Sequence, residues 1–369
     1  MAQGVLGWLV APFSQNDTYM RLGIIGWPLV GKTTVFNALT RSAARTGFGA
    51  GAGAPNVAIV RVPDDRVEQL SALFSPKKIS FATVEYIDLP GFERGKGKDS
   101  DQFLTNARKV DALVHVVRAF LDDNVPHAEG SVDPSRDVRL MEEELILADQ
   151  ITVEKRLENI AAQAKRGKKP ESPDEQPALE KALAHLEAVR PLRTLELSVS
   201  EEIALRGFAF LSRKPLLVVL NIGEDQMVAP PALDSDAPVL AVCGKLEEEL
   251  AQLPDDEAAE LMGSYGIARS GLVRVIQASY DLLGLMSFYT AGDDEVKAWT
   301  IRKQSPAVEA ARTIHSDIAR GFIRAEVVSY DDLMELKTFV RAREVGKLRL
   351  EGKEYVVQDG EVCHFRFNV

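Results

Sequence analysis

The stretch that decides the fold is Gly26-Trp27-Pro28-Leu29-Val30-Gly31-Lys32-Thr33, which fits the phosphate-binding pattern G-x-x-x-x-G-K-[ST]. The apolar segment Leu22 to Ile25 precedes it and is typical of a buried parallel strand. Thr34 to Thr40 follows, with apolar residues at helical spacing. A strand, a glycine-containing loop and a helix, in this order, are the context in which the pattern binds phosphate. The sequence therefore predicts a nucleoside triphosphate site on an α/β domain with a mostly parallel sheet.

The residue types in this loop fit the chemistry of a triphosphate. Backbone N–H groups of such a loop point at bound phosphate, and the helix N-terminus adds a partial positive charge. Lys32 supplies a cation for the β- and γ-phosphates, and Thr33 supplies a hydroxyl for Mg²⁺. The loop residues expected to bind the nucleotide are Gly26, Leu29, Val30, Gly31, Lys32, Thr33 and Thr34.

A second motif, Asp88-Leu89-Pro90-Gly91, stands at the end of a strand predicted over Phe81 to Ile87. A D-x-x-G motif in this place can hold Mg²⁺ through a water and sense the γ-phosphate with the glycine N–H. The motif alone occurs in many turns, but downstream of a phosphate loop it favours the functional interpretation. Asp88 is thus predicted to join Thr33 as a metal ligand, and Gly91 to join Lys32 as a catalytic residue.

Two later apolar strands, Pro215 to Leu220 and Pro238 to Val242, end in polar loops that can hold the base. GTP-binding proteins of this fold carry N-K-x-D at the first loop, whose aspartate accepts two hydrogen bonds from guanine. Here Ile222 replaces the lysine and Glu224 the aspartate, so guanine selectivity is doubtful. For Asn221 the alternative is that it only caps the turn. The residues expected around the base are Asn221, Ile222, Glu224, Cys243, Gly244 and Lys245.

The composition limits the class of function. The 369 residues exceed a single core, so two or three domains are expected. A net charge of −11 argues against electrostatic binding of nucleic acid by the whole molecule, although it leaves a local basic face open. Two cysteines suit a reducing compartment and no apolar run approaches a membrane span, so a cytoplasmic protein without a membrane partner is expected. Residues 1–19 are expected to be an N-terminal extension or a mis-assigned start before Met20.

Changes in sequence character divide the chain into domains. Residues 20–131 and 207–284 are expected to form the nucleotide-binding (G) domain, with residues 132–206 inserted between them. In that insertion the helix-period segments Asp137 to Arg166 and Pro177 to Val189 predict an α-helical hairpin. Residues 285–369 contain strand-like runs and two helical segments, which predict a small mixed sheet on a helix and a binding module.

Three features have competing interpretations. The basic tip of the hairpin, Lys165 to Lys169, is a solvated turn by default and a contact for RNA phosphates as the alternative. His115 lies in a predicted buried strand, where a hydrogen-bonded core or rim histidine is favoured over a catalytic one. Cys243 is best explained as a small buried residue, with redox control beside the base as a further hypothesis.

With these motifs in hand, the chain resembles the Obg-like ATPases, the YchF group of translation-factor-type P-loop proteins, from Met20 to Val369. The segments TAGDDEVKAWTIRK, IHSDIARGFIRAEVVSYDD and GKEYVVQDGEVCHFRFNV are similar to that group's TGS domain, a ubiquitin-like β-grasp. AVCGKLEEEL resembles its base-binding loop, EELILADQITVEKRLENI the start of its helical hairpin, and DALVHVVRAF its core strand. The resemblance implies ATP preferred over GTP, slow hydrolysis, a cytosolic location and association with ribosomes. Asn221 and Glu224 keep the group's N-x-x-E.

The nucleotide site departs from the group's pattern in three places. Leu29 replaces an asparagine, Ala52 stands near where a switch threonine is expected, and the segment from Gly91 to Phe103 is three residues shorter. Phe92, as in the group, occupies the place of a water-orienting glutamine, and an apolar side chain cannot orient water. The expected function is an Mg²⁺-dependent ATPase that gates ribosome binding. A nucleotide-loaded adaptor with negligible turnover and a GTPase are the alternatives, and a monomer is the default.

Overall fold

The computed structural model describes residues 20–41, 55–92, 98–167 and 172–368. Packing divides the chain into two compact units. The first comprises the described residues of Met1–Ala58 and Glu85–Val275, and the second those of Ile59–Val84 and Ile276–Val369. Residues 59–84 thus pack with the C-terminal part of the chain. The predicted domain limits stay a proposal, and residues 1–19, Ala52, Lys168 and Lys169 lie outside the described part.

The helices and strands of the described residues are numbered in chain order. The strands are β1 (Arg21–Ile25), β2 (Asn56–Arg61), β3 (Lys78–Ser80), β4 (Thr83–Asp88), β5 (Ala112–Arg118), β6 (Leu216–Asn221), β7 (Val239–Val242), β8 (Leu285–Ala291), β9 (Glu295–Arg302), β10 (Phe322–Ser329), β11 (Arg349–Glu351) and β12 (Glu361–Phe367). The α-helices are α1 (Lys32–Thr40), α2 (Asp65–Phe74), α3 (Lys98–Arg108), α4 (Pro134–Lys165), α5 (Glu175–Glu187), α6 (Val199–Leu205), α7 (Gly244–Gln252), α8 (Asp255–Ser264), α9 (Gly271–Leu282), α10 (Ala307–Ile314), α11 (Ser316–Arg320), α12 (Tyr330–Leu336) and α13 (Phe339–Glu344).

The first sheet has the strand order β2-β4-β1-β5-β6-β7. Strand β1 pairs in parallel with β4 and β5, and β6 pairs in parallel with β5 and β7. Every residue of β5 and β6 is buried, as expected for strands covered on both faces. Because the carboxyl ends of parallel strands meet at one edge, the loops after β1, β4, β6 and β7 come together there. The predicted α/β domain with a mostly parallel sheet is confirmed.

The predicted helical hairpin consists of α4 and α5. Its apolar stripe packs inward, with Val153 and Ile160 of α4 in one buried cluster with Leu179 of α5. A buried carboxylate, that of Asp149 on α4, accepts hydrogen bonds from the backbone N–H of Leu211 and from the N–H and hydroxyl of Ser212. The hairpin is therefore anchored to the segment that leads into β6.

The second unit contains a mixed sheet of order β11-β10-β12-β8-β9-β3. Strands β8 and β9 form an antiparallel hairpin, β12 runs parallel to β8, and α10 contributes to the core on one face. This is the small mixed sheet on a helix that the sequence predicted. Residues 355–357 are one of the strand-like runs of this segment, but they make only an isolated bridge, between Val356 and Pro306. Strand β3 was not predicted as part of this sheet, because three residues carry too short a pattern.

Within the described residues no helix is both long enough and apolar enough to cross a membrane.

Candidate functional site

The loop after β1 is shaped by two glycines in the left-handed half of φ space. Gly26 has φ 150° and Gly31 has φ 90°. A Cβ on Gly26 would collide with the carbonyl oxygen of Val116, and one on Gly31 with the side-chain amide of Asn221. Gly31 also precedes α1 and has no side chain to cap it, so the first N–H groups of α1 stay available. The loop and helix thus have the geometry of a phosphate-binding site.

Leu29 is the one loop residue whose side chain conflicts with its backbone. Its φ is 62°, a left-handed conformation that costs most side chains about 1–2 kcal/mol and that asparagine tolerates better. Leu29 therefore replaces the asparagine of the group's loop pattern at a position where the backbone is strained.

We expect Leu29→Asn to raise the free energy of unfolding by roughly 0.5–1 kcal/mol, because it relieves this strain. Leu29→Ala is the matched control, since it also shortens the side chain but keeps the conformational cost. Chemical denaturation of both variants measures the difference. If Leu29→Asn is no more stable than Leu29→Ala, the backbone strain does not matter.

The amine of Lys32 is buried in the centre of the loop. Only 8% of the residue is exposed, and its Nζ donates a hydrogen bond to the carbonyl oxygen of Trp27 at 2.9 Å. Gly91 lies so close that a Cβ there would be 3.2 Å from Nζ. Burial lowers the pKa of Lys32 to about 8, and the nearby charge of Asp88 partly offsets that shift. The two predicted catalytic residues, Lys32 and Gly91, are therefore neighbours.

Asp88 lies at the carboxyl end of β4, next to the first turn of α1. Its Oδ2 accepts hydrogen bonds from the Thr33 hydroxyl at 2.9 Å and from the Asn56 amide at 3.3 Å. Its Oδ1 is buried and has no hydrogen-bond partner among the described residues. Burial raises the pKa of Asp88, against the opposing effects of Thr33 and Lys32. A buried carboxylate oxygen left open beside a hydroxyl is a fitting place for a divalent cation.

The residues present fit Mg²⁺ better than a metal held wholly by protein. The described part of the chain has no group of three or more His, Cys, Asp or Glu residues placed to hold a metal. Mg²⁺ is commonly bound through one or two protein oxygens plus substrate phosphates and waters. Thr33 and Asp88 provide that number of protein oxygens. Asn56, which sequence reasoning did not select, donates a hydrogen bond to the same oxygen of Asp88 as Thr33 does.

Asn221 connects the phosphate loop to the second base loop. Its side-chain amide donates to the carbonyl oxygen of Val30 at 3.0 Å, and its Oδ1 accepts from the N–H of Gly244 at 3.0 Å. The residue is 4% exposed. Its role in the structure is thus more than capping a turn, because one buried side chain fixes two loops. A side chain on Gly244 would also crowd Asn221 Oδ1.

Two of the residues predicted at the base are buried in the core. Ile222 and Cys243 belong to one apolar cluster with Val117, Leu220 and Leu246. Burial raises the pKa of the Cys243 thiol, so the reactive thiolate is disfavoured. The geometry therefore favours the ordinary interpretation of Cys243 over redox control, and leaves Ile222 little side-chain surface to cover a base.

Glu224 and Lys245, by contrast, reach the surface together. The Lys245 amine lies 3.1 Å from Glu224 Oε1, and the hydroxyl of Tyr265 donates to Glu224 Oε2 at 3.2 Å. The hydrogen bond and charge of Lys245 lower the pKa of Glu224. Both carboxylate oxygens are thus engaged by this protein's own side chains.

An aromatic row connects the phosphate loop to the segment after Gly91. The ring of Phe92 packs on Trp27, with centroids 5.7 Å apart, and on Phe103, with centroids 5.1 Å apart. Phe92 is only 4% exposed, so it faces the core. Trp27 donates its indole N–H to the carbonyl oxygen of Asp137 in the first turn of α4, and His127 Nε2 lies 2.9 Å from Asp137 Oδ2. Sequence patterns did not predict this connection to α4.

His115 is a core residue of β5. It is 1% exposed, and its Nε2 has no hydrogen-bond partner in the described part of the chain. Burial, helped by the charge of Lys32, lowers the pKa of His115 to about 3. The ring is therefore neutral near pH 7, which agrees with the core interpretation, although Nε2 does not make the expected hydrogen bond.

The predicted residues form two sets at the carboxyl edge of the sheet. The first set consists of the residues expected to contact the phosphates and Mg²⁺: Gly26, Leu29, Val30, Gly31, Lys32, Thr33, Thr34, Asp88 and Gly91. Asn221 and Gly244 connect the first set to the second, which consists of the residues expected around the base. Of the second set, only Glu224 and Lys245 are exposed. Phe120, which was not predicted, joins the second set because its backbone N–H donates to the carbonyl oxygen of Asn221 at 3.1 Å.

Known proteins resemble the chain along nearly its whole length. Residues 285–368 match the family model YchF-GTPase_C, described as a protein of unknown function, and residues 21–153 match MMR_HSR1, described as a 50S ribosome-binding GTPase. The ribosome-binding ATPase YchF of Bacillus subtilis (strain 168) is 44% identical over 362 residues, covering 94% of this chain and 99% of the relative. That of Escherichia coli O157:H7 is 40% identical over 361 residues, covering 95% and 99%. The structure of the Schizosaccharomyces pombe YchF GTPase matches with a TM-score of 0.82 and 31% identity, covering 96% of this chain and 99% of that one.

Proposed function

The chain belongs to the YchF family, as its motifs predicted, and from this premise we propose that it is an Mg²⁺-dependent ATPase with slow turnover that prefers ATP to GTP. One observation carries the proposal. The Lys32 amine, the Thr33–Asp88 pair and Gly91 meet at the N-terminus of α1, where a triphosphate would sit. Fixed N–H groups and a buried cation at one point suit a polyanion and little else.

The residues divide the work of phosphoryl transfer between them. Water attacks the γ-phosphorus and the bond to the β–γ bridging oxygen breaks, which yields ADP and inorganic phosphate. The loop N–H groups and Lys32 would stabilise the charge that develops on the phosphate oxygens. Thr33 and Asp88 would hold Mg²⁺, which when bound neutralises charge on the β- and γ-phosphates. The N–H of Gly91 would report the γ-phosphate.

The preference for ATP rests on the state of Glu224. A guanine-specific site needs a carboxylate whose oxygens are open to two ring N–H groups. Here Lys245 and Tyr265 already engage both oxygens of Glu224. A site whose carboxylate cannot accept hydrogen bonds from the guanine N–H groups has little selectivity for guanine over adenine. The names of the relatives include both ATPase and GTPase. The contacts of Glu224 with Lys245 and Tyr265 support ATPase.

A competition titration of ATP against GTP on the full chain with Mg²⁺ tests the preference. We expect ATP to bind more tightly than GTP. GTP binding at least as tightly as ATP would instead require Glu224 to leave Lys245 and act as an aspartate does in guanine sites.

Slow turnover follows from the position of Phe92. Its buried ring packs on Trp27 and Phe103 and cannot orient an attacking water. The same observation supports a second candidate, a nucleotide-loaded adaptor with negligible hydrolysis. The switch segment that contains Ala52 bears on this choice as well, but it lies outside the described residues.

The proposal extends to the ribosome. The curated relatives are named ribosome-binding ATPases, and they match this chain over nearly their whole length. We infer that nucleotide state gates binding to the ribosome in the cytoplasm, and a monomer stays the default expectation. Sedimentation with purified ribosomes in the presence of ATP or ADP tests this inference. Equal binding in both states, or none in either, would contradict it.

Because the pKa of Lys32 is about 8 in the free protein, ATP binding should take up protons at alkaline pH. Phosphates favour the charged amine and so raise its pKa on binding. Affinity should be constant well below pH 8 and fall by up to about tenfold per pH unit above it. Calorimetry at pH 8.5 in two buffers of different ionisation enthalpy should record more than about half a proton taken up per site. Lys77→Ala, which removes an exposed lysine, should leave the uptake unchanged; no uptake in either protein would contradict the assignment.

A further inference from the structure

The outer face of the C-terminal sheet carries a groove that the proposed ATPase activity does not use. Its cavity of about 560 Å³ lies within the second unit, and strands β10, β11 and β12 and helix α13 contribute to it. The residues lining it are Ile323, Arg324, Glu326, Arg343, Leu348, Leu350 and Arg366. The size falls in the range of about 300–1,000 Å³ typical of ligand pockets.

The sheet register explains why these residues share one face. Arg324 lies opposite Arg366 of β12, and Glu326 lies opposite Leu350 of β11. An irregularity in the β10–β12 register between Phe322 and Arg324 turns Phe322 into the core and leaves Ile323 exposed. Ile323 and Leu350 are 55% and 56% exposed, so the groove has an apolar floor open to solvent.

The charge of the groove is positive, although the whole chain carries −11. Its carboxylate, Glu326, is buried and accepts hydrogen bonds from the guanidinium groups of Arg343 and Arg366. One carboxylate thus fixes two arginines while about half of each arginine side chain stays exposed. Arg324 is exposed and adds a third positive charge at the same place. Fixed guanidinium groups bind carboxylates with two parallel hydrogen bonds.

The residues that line the groove favour an acidic polypeptide over a nucleic acid as the partner. Single-stranded RNA is usually held by aromatic rings on which bases stack, and no residue lining this groove is aromatic. Double-stranded nucleic acid needs many phosphate contacts along an extended basic face, whereas here three arginines share the surface with a glutamate. The aliphatic and guanidinium groups of this groove match a polypeptide that carries both apolar and acidic side chains.

We propose that this groove docks an acidic segment of a partner polypeptide, with apolar side chains on Ile323 and Leu350 and carboxylates on the exposed arginines. The inference goes beyond the ATPase and needs no bound nucleotide. Arg324 and the apolar floor provide most of the affinity, because Arg343 and Arg366 are already partly neutralised by Glu326.

The first experiment uses two unbiased probes on the full-length chain. A displayed library of random 12-residue peptides and a library of random RNA oligonucleotides are selected in parallel against the immobilised protein. The expected result is enrichment of peptides that combine Asp or Glu with Leu, Ile, Val or Phe. RNA selected with the same dependence on Arg324, or peptides without acidic residues, would overturn the proposal, and so would failure to enrich either library.

The second experiment measures the affinity of a synthetic selected peptide for a groove variant. Ile323→Gln/Arg324→Glu changes two exposed residues, and we expect a loss of at least tenfold in affinity. Val340→Gln/Arg341→Glu replaces a β-branched apolar residue and an arginine in the same way, on exposed residues of α13 that do not line the groove, and should bind like the wild type. If the groove variant fails to fold, Arg324→Gln alone keeps the test. Equal loss in the groove and control variants would overturn the assignment.

These outcomes are independent of the ATPase proposal. Neither double variant touches the nucleotide site, so ATP affinity and hydrolysis should stay at wild-type values in both. Loss of peptide binding with normal hydrolysis supports the groove, whereas absence of hydrolysis with normal peptide binding counts against the ATPase alone.

Discussion

Lys32→Ala should lower the affinity for ATP by at least about 30-fold and reduce hydrolysis to the level of a protein-free blank. The buried amine lies inside the phosphate loop and beside Gly91, where the phosphates are expected. The expected charge pair is the Lys32 amine with the phosphates of ATP. Removing one member of a buried, hydrogen-bonded charge pair costs about 2–5 kcal/mol of binding free energy. Titration with a fluorescent ATP analogue and a phosphate-release assay measure the two effects.

Two controls separate this loss from a general effect of removing a lysine. Lys77→Ala removes a lysine whose side chain is 80% exposed, and it should bind ATP like the wild type. Chemical denaturation should show that Lys32→Ala is folded, and even slightly stabilised, because a buried amine of lowered pKa opposes folding at neutral pH. ATP affinity within a few-fold of wild type in a folded Lys32→Ala protein would refute the phosphate assignment.

Asn221→Asp should lower ATP affinity by about tenfold or more and destabilise the fold by roughly 2–3 kcal/mol. The substitution keeps the acceptor for the Gly244 N–H but replaces the donor to Val30 with a carboxylate oxygen. Two oxygens then face each other in a buried position, and the new charge lacks a partner. The phosphate loop and the second base loop should separate as a result. Calorimetry for ATP and denaturation for stability measure both changes.

Asn159→Asp on α4 makes the same chemical change at an exposed position and should leave both quantities within about 0.5 kcal/mol of wild type. An Asn221→Asp protein that is destabilised yet binds ATP normally would mean that the contact between the loops supports the fold without shaping the site.

The geometry of the candidate phosphate site could be predicted from sequence because its signal is local. Strand, loop and helix are contiguous, and each of Gly31, Lys32 and Thr33 is required by the chemistry of a bound phosphate. The partnership of Thr33 with Asp88 was predicted from the two motifs, because both are expected to supply oxygens to one Mg²⁺. The structure brings the two side chains together, since the carboxyl ends of parallel strands share one edge. The strand-like runs of residues 285–369 predicted the C-terminal mixed sheet, and the family resemblance agreed with it.

The contacts that sequence reasoning missed are long-range and made by ordinary residues. Asn56 holds Asp88 across 32 positions, and Tyr265 reaches Glu224 across 41. Neither pair belongs to a spacing pattern, because only the folded chain brings them together. The burial of Ile222 was missed for a related reason. In N-K-x-D this position is a lysine, whereas an isoleucine gains more by packing in the core.

The grouping of residues 59–84 with the C-terminal unit has the same origin. Strand β3 pairs with β9 through only three residues, Lys78, Ile79 and Ser80. A pattern of that length is indistinguishable from a loop in sequence, and the parallel partner lies more than 200 positions away. The predicted segment 20–131 therefore could not separate residues 59–84 from their neighbours in sequence.

The measurement that tests the central claim most directly is multiple-turnover hydrolysis of ATP and of GTP, side by side with Mg²⁺, with Lys32→Ala as the blank. The account predicts slow release of phosphate from ATP above that blank, and less from GTP. Absence of cleavage of either nucleotide, in a wild-type protein that still binds ATP, would contradict the ATPase and leave the nucleotide-loaded adaptor.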